Sequence, residues 1–417
     1  MLTMCPRCVM PPLTEKFSRE NIPEYYAIGH DTAESLFDDA LAETCSSQDS
    51  VSLMFCGSGD ARHLYTTLLM FSATEMRARK KVCKDIHITV LDLKPAAIAR
   101  MLIIFEMMVL YTASRFQKAQ GVEDAPTFIA YVYAGHVIPA AVNEKLQTLI
   151  AALLTALETD EELYDWLFLP ASARKEVAHV LKQWQKPLEA NYYRAPTVRR
   201  AVKTRVQRDR MKGLVMFGMV SDTPKGFEND RKSFDDFGVL LPSKTFAERR
   251  DPPLVALMRQ YEAGSEEART QLADHIDATW VTNVTLLDFD CVEATRKRDD
   301  AYNRDTSVPG NMCRPIFSDE EKVPSIESDP LQLAEMLPPF AAGAGVLEMV
   351  GSFFDAIAVV LVQLSPRLKI EALVGEMADT MDRLRWGCLE SRSRPSGGID
   401  PSTFPRAYDR IHMSNIP

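Results

Sequence analysis

The stretch that most constrains this chain is VSLMFCGSGDARHLYTTL, Val51 to Leu68, which sets an apolar strand, a glycine turn and a helix start within one short span. Val51 to Cys56 reads as a buried strand of parallel-sheet type. Gly57 and Gly59 bracket a tight turn, and Asp60 stands where a helix N-cap is expected. One glycine is needed for a backbone conformation closed to residues with a Cβ. The other lets a ligand lie against the main chain at the positive end of the helix. The pattern therefore predicts a phosphate or nucleoside cradle at Gly57, Ser58, Gly59 and Asp60, with an ordinary strand-to-helix turn as the alternative.

Beyond the turn the pattern continues. A helix is expected from Ala61 to about Arg79, with Leu64, Leu68, Leu69 and Met76 on its buried face, and then a strand, HITVLDL, from His87 to Leu93. Asp92 closes that strand just before Pro95 opens another helix, running to about Phe116. Two roles are open to it: accepting hydrogen bonds from ribose hydroxyls across the crevice, or capping the Pro95 helix. Leu368 to Val374, LKIEALV, alternates like a strand and runs into Gly375-Glu376. A last strand is expected from about Asp409 to Met413, ending in Ser414-Asn415-Ile416-Pro417.

In order, these pieces are a glycine turn after the first strand, an acid after the second, Gly-Glu-x-Ala after the third and a small polar S-N-x-P after the fourth. They resemble class I S-adenosylmethionine-dependent methyltransferases. The resemblance implies S-adenosylmethionine as cofactor, adenine contact at Glu376, and a methyl-acceptor site lined by Ser414 and Asn415. The blocks YYAIGHDTAESLFDDAL (Tyr25 to Leu41), FCGSGDARHLYTTL, VLDLKPAAIARMLI and FPRAYDRIHMSNIP are similar to the mostly fungal family bearing the DUF4470 domain. That domain is often found beside a MYND zinc finger and also resembles the N-terminal part of a dynein axonemal assembly factor. This chain departs from the methyltransferase pattern in two places. Phe55 stands where that family has an acid two residues before the first glycine, and Ala61 replaces the third glycine. A non-catalytic adaptor on a degenerate scaffold is therefore the alternative function.

The expected fold is α/β: a Rossmann-like class I methyltransferase-type parallel sheet, incomplete at the C-terminus and interrupted by a large, mainly helical insertion. Residues 1–20 form a tail with Cys5-x-x-Cys8, 21–115 the first part of the Rossmann-like domain, 116–364 the insertion, and 365–417 the return to the sheet. Within the insertion, helices are expected over Ala140–Leu157, Ala171–Trp184, Leu254–Tyr261, Glu266–Ile276, Leu331–Met336 and Val346–Leu364. Leu214–Val220 and Thr279–Asp288 read as strands of a small accessory sheet, and Ser221–Lys232 and Asp305–Pro330 as mobile loops. A sheet ending on an uncovered fourth strand invites self-association, unless strands from the insertion or from another copy close it.

Charge and composition narrow the function. A net charge of −10 and a pI near 5.4 disfavour a nucleic-acid binder, since phosphate backbones demand a basic face. The run of basic residues from Arg194 to Lys212, including Arg199, Arg200, Lys203, Arg205, Arg208 and Arg210, is the local exception; it reads as a solvated face or as a surface for an acidic partner. Eight cysteines without framework spacing point to a reducing, cytoplasmic or nuclear compartment. Cys5 and Cys8 supply half of a zinc ligand set, so no metal is expected in cis. The longest apolar stretches carry charges and are not expected to span a membrane, and a protein partner is expected on the helical insertion. His30, His63 and Asn415 are the candidates for catalysis, the histidines as general bases.

Overall fold

A computed structural model describes residues 25–414 apart from 26, 30, 46–48, 118–121, 160, 189–192, 218–222, 288, 290–328, 339–344 and 393–398. Five strands form one parallel sheet: β1 (Ser50–Cys56), β2 (Asp85–Asp92), β4 (Leu167–Phe168), β6 (Leu368–Val374) and β7 (Arg410–Met413), in the order β4-β6-β2-β1-β7. Two more, β3 (Val137–Ile138) and β5 (Val281–Thr282), pair antiparallel as a separate ribbon. The expected Rossmann-like α/β arrangement with helical insertions is what the chain adopts.

The strand sequences explain the layering. Val51, Leu53 and Phe55 of β1, with Ile86, Ile88 and Val90 of β2 and Ile370 and Ala372 of β6, point into one large core. Helices Arg62–Ala78, Pro95–Phe116 and Val346–Leu364 share that core, as do the helices of the insertion. Met54, Cys56, Leu91 and Leu373 point the other way and meet Leu384, Met377 and Met381 of helix Met377–Trp386. The sheet is thus heavily covered on one face and thinly on the other. Strands buried on both sides need apolar residues at both parities, which is why VSLMFC and ITVL are nearly continuous apolar runs.

Helices Pro95–Phe116 and Val346–Arg367 are long and apolar enough to cross a membrane, but most of each is buried inside the protein. Their apolar length serves the core.

Several expectations need correcting. The strand expected over Leu214–Val220 is helical as far as Phe217, the end of the Ala195–Phe217 helix. A short apolar run at a helix end carries no period of its own to separate the two states. Thr279–Asp288 supplies only β5 and a 3₁₀ turn, Val284–Leu286, and β5 pairs with β3 instead. Glu228–Phe237 is a helix that begins within the expected Ser221–Lys232 loop. Met76 is exposed, and Phe71 and Tyr65 fill the buried face of its helix. The insertion supplies β4 on the far side of β6, leaving β7 as the other edge. Asp305–Pro330 lies outside the described residues but for its last two positions, and Cys5 and Cys8 lie wholly outside them.

Candidate functional site

The chain steps outward from β1 to β2 to β6, then returns to lay β7 on the opposite side of β1. That reversal creates a crevice beyond the C-terminal ends of β1 and β7, where ligands bind in open α/β sheets. The fold brings Gly57–Asp60, Asp92, Glu376 and Ser414 to this one edge. His63 joins them from the first turn of the adjoining helix. His30 and Asn415 lie outside the described residues.

The turn is built on left-handed backbone at alternate residues: Gly57 (φ 69°), Gly59 (φ 51°) and Ala61 (φ 60°). Gly57 and Gly59 meet the conformational demand read from the sequence. Ala61 meets it with a Cβ, at a cost of about 1–2 kcal/mol. A Cβ on Gly57 would collide with the Ser414 carbonyl, so the close approach this glycine permits is to the chain leaving β7. The Gly57 N–H donates to Leu91 O (2.9 Å) and the Ser414 N–H to Cys56 O (3.0 Å), tying the turn to both neighbouring strands.

Asp92 is 8% exposed and already supplied with donors. Its Oδ2 accepts from the Gly59 N–H (2.8 Å) and the Ser58 hydroxyl (3.3 Å), and its Oδ1 from the Lys94 N–H (2.8 Å). Burial raises the carboxyl above its ordinary range, while the three donors pull it back. Of the two roles read from the sequence, capping falls to the main chain: Lys94 is the N-cap of Pro95–Phe116, without a side-chain bond. The Asp92 carboxylate instead closes the glycine turn upon itself.

The N-cap position falls one residue after Asp60, yet the Asp60 carboxylate still accepts the first helical amide, the Arg62 N–H (3.2 Å). Helix Arg62–Ala78 starts after Ala61, whose methyl side chain caps nothing. Asp60 is buried, accepting from the Gly29 N–H (3.1 Å) and pairing with Arg62 Nε (3.2 Å). Arg62 also donates to the Asp31 carbonyl. The main chain around Gly29 therefore lies across the helix start, and a Cβ at Gly29 would occupy the Arg62 guanidinium. Glu376 is exposed and caps Met377–Trp386, accepting from the Ala378 (3.0 Å) and Asp379 (2.6 Å) amides.

His63 accepts the Glu34 N–H at Nδ1 (3.0 Å), and its ring lies 4.0 Å from that of His412 on β7. Burial, His412 and Arg62 hold His63 down at about 4, and burial lowers His412 as well. Both rings are therefore neutral near pH 7. Phe55 is buried in the main core, its ring 6.3 Å from His412. Among the described residues, no group of three or more His, Cys, Asp or Glu is placed to hold a metal ion.

Sequence reading misses Arg62, His412 and the Ala27–Asp31 crossing. Arg62 and His412 stand inside the blocks GSGDARH and RIHMSNIP, two residues after Asp60 and two before Ser414, so proximity to those motifs is the available signal.

Residues 27–137 match the model of a domain of unknown function, DUF4470. No curated protein and no solved structure matches the chain. The DUF4470 span runs from the segment crossing the helix start, through the glycine turn and Asp92, to β3, so it holds the turn and the carboxylate that closes it, while β7 and Ser414 lie outside it.

Several cations of the basic helix are paired. Arg199 pairs with Asp277 and donates to Phe237 O (2.9 Å), Lys203 donates to Asp236 O (3.1 Å), and Arg210 pairs with Asp235 (3.3 Å). Arg208 lies 3.7 Å from Asp209. Arg199, Lys203 and Arg210 thus dock Ala195–Phe217 onto its neighbours, while Arg194, Arg200 and Arg208 stay exposed on the solvated face expected.

Proposed function

We propose that this chain is a binding protein built on a methyltransferase-like sheet, whose nucleoside crevice is closed by its own turn and whose helical insertion meets a protein partner. The observation that carries the reading is the Asp92 carboxylate, which would serve a ribose but accepts Gly59, Lys94 and Ser58. Asp60 and Glu376 are likewise engaged within the chain. In this reading S-adenosylmethionine is not held, because Gly59, Ser58 and Lys94 take up the Asp92 oxygens that would meet a ribose. An adaptor role is what the resemblance of the sequence blocks to the N-terminal part of a dynein axonemal assembly factor implies. On the insertion, a cleft of about 540 Å³ between Glu228–Phe237 and the Tyr261–Arg269 segment is lined by Arg231, Lys232, Asp235, Asp236 and Glu266, a mixed-charge surface suited to a polar protein partner.

A second reading, an S-adenosylmethionine-dependent methyltransferase with unknown acceptor, is favoured by the order β6-β2-β1-β7, which sets the four motif ends on one edge. Calorimetric titration of S-adenosylmethionine and S-adenosylhomocysteine separates the two. The adaptor reading predicts no saturable heat up to millimolar ligand, and saturable binding weakened by Asp92→Ala would replace it with the enzyme reading.

Self-association belongs to the same proposal. Edge strand β7 exposes Ile411 (39%) and Met413 (59%) on the thinly covered face. Light scattering is expected to show a concentration-dependent mass that falls on Met413→Lys, and a clean monomer at high concentration would refute it.

A further inference from the structure

Behind the glycine turn, three polar groups are buried without a hydrogen-bond partner: Arg100 Nε, the Tyr65 hydroxyl and the Tyr133 hydroxyl. Buried polar groups are almost always paired, so three orphans in one neighbourhood call for an occupant. They come from different helices, Tyr65 from Arg62–Ala78, Arg100 from Pro95–Phe116 and Tyr133 from Ala125–Ala134. The Arg100 guanidinium carbon lies 5.1 Å from the centroid of the Tyr133 ring. Both tyrosines pack edge-on against Phe354, at 5.3 and 4.9 Å between centroids.

The charge here is unbalanced. Arg100 is 2% exposed, and among the described residues its terminal nitrogens donate to the carbonyls of Ala27, Val132 and Tyr133. Among the described residues no carboxylate pairs with it. Asp60 is the carboxylate whose field reaches both phenols, and it is held by Arg62 and the Gly29 amide. His136, also buried, stays neutral: burial and the Arg100 charge hold it at about 4. A buried cation without a counter-ion is destabilising in the same way as a buried ion pair from which one partner has been removed.

We propose that this nest holds one small monovalent anion of the halide class, accepting from Arg100 Nε–H and from the hydroxyls of Tyr65 and Tyr133. Burial keeps both phenols protonated and so able to donate. Water fits less well: it supplies no charge, and the carbonyls that would take its protons already accept from Arg100. The anion joins three helices to the main chain at Ala27, and this role is independent of whether the nucleoside crevice is open.

Thermal unfolding of the full chain in sodium chloride and in sodium gluconate at equal ionic strength tests the site. An anion bound only by the folded state raises the midpoint with the logarithm of chloride concentration. The wild type should show this rise with chloride and with bromide, and Tyr65→Phe/Tyr133→Phe should lose it while remaining folded. Equal midpoints in the two salts, or a chloride response retained by the double variant, would overturn the proposal. Should the double variant not fold, crystals of the wild type grown in bromide decide: an anomalous peak between Arg100 and the two phenols upholds the site, and its absence there overturns it.

Discussion

Replacing Asp92 with alanine removes the acceptor that three donors share, two of them backbone amides at 2.8 Å. Hydrogen bonds to a charged group contribute about 1.5–3 kcal/mol each, so the two short bonds give roughly 3–6 kcal/mol before the cost of the buried carboxylate is counted. That cost is visible as the raised carboxyl, and it brings the expected net loss to about 2–3 kcal/mol. The pH dependence gives the sign. Because the folded state holds the Asp92 proton to higher pH than the unfolded chain, whose ordinary value is 3.8, it binds more protons in the window above that value. The stabilising contribution of Asp92 is fully present below 3.8 and shrinks as pH rises through the folded value. Urea unfolding followed by circular dichroism should show Asp92→Ala less stable than wild type, with a wider gap at about pH 4 than at about pH 7. No loss of stability would mean that the carboxylate is not holding the turn, and a gap that widens with pH would mean that its donors outweigh its burial, against the raised carboxyl.

The same geometry makes further perturbations informative. Gly57→Ala places a Cβ against the Ser414 carbonyl at a left-handed φ and should destabilise by about 2–3 kcal/mol or prevent β7 from docking, read as exposure of β7 amides to hydrogen exchange. Ala61→Gly relieves the strained φ and should raise stability by about 1 kcal/mol in the same urea assay. Arg392→Met leaves Glu371, fully buried on β6, without its bidentate partner and should cost about 3–5 kcal/mol, most of it regained in Glu371→Leu/Arg392→Met. His63 is neutral in the fold at pH values where the unfolded chain takes up a proton. Its contribution should therefore be lost as pH falls from 6.5 toward about 4, by ~3 kcal/mol at most, and His63→Phe should flatten that part of the stability profile.

Much of the sheet is legible in the sequence because its strands are buried on both faces. VSLMFC and ITVL are nearly continuous apolar runs followed closely by glycine or proline, and the alternation of Leu368–Val374 marks both ends of β6. Periodicity likewise delimits Ala171–Trp184 and Val346–Leu364. The elements that escape sequence reading are set by tertiary contact. Nothing local in LKIEALV reveals that Glu371 is buried and paired with Arg392, 21 residues away. β4 is two residues long, too short for any period to register. Asp60 reads as a cap because Asp favours that position; the left-handed Ala61 moves the helix start by one residue, so the carboxylate accepts the Arg62 amide with one oxygen and the Gly29 amide with the other. In the candidate site, the residue types at Gly57, Gly59 and Asp92 are legible. Their mutual engagement is not, because it depends on how closely the turn folds back on β2.

The turn and Asp92 satisfy each other, and the proposed consequence is a crevice that takes no ribose. Amide hydrogen exchange at Gly59 and Lys94, measured by NMR on the full chain with and without millimolar S-adenosylmethionine, tests it most directly. The expected result is slowed exchange at both amides that the ligand does not alter. Fast exchange at both without ligand, or protection of Gly59 that changes saturably with S-adenosylmethionine, would contradict it.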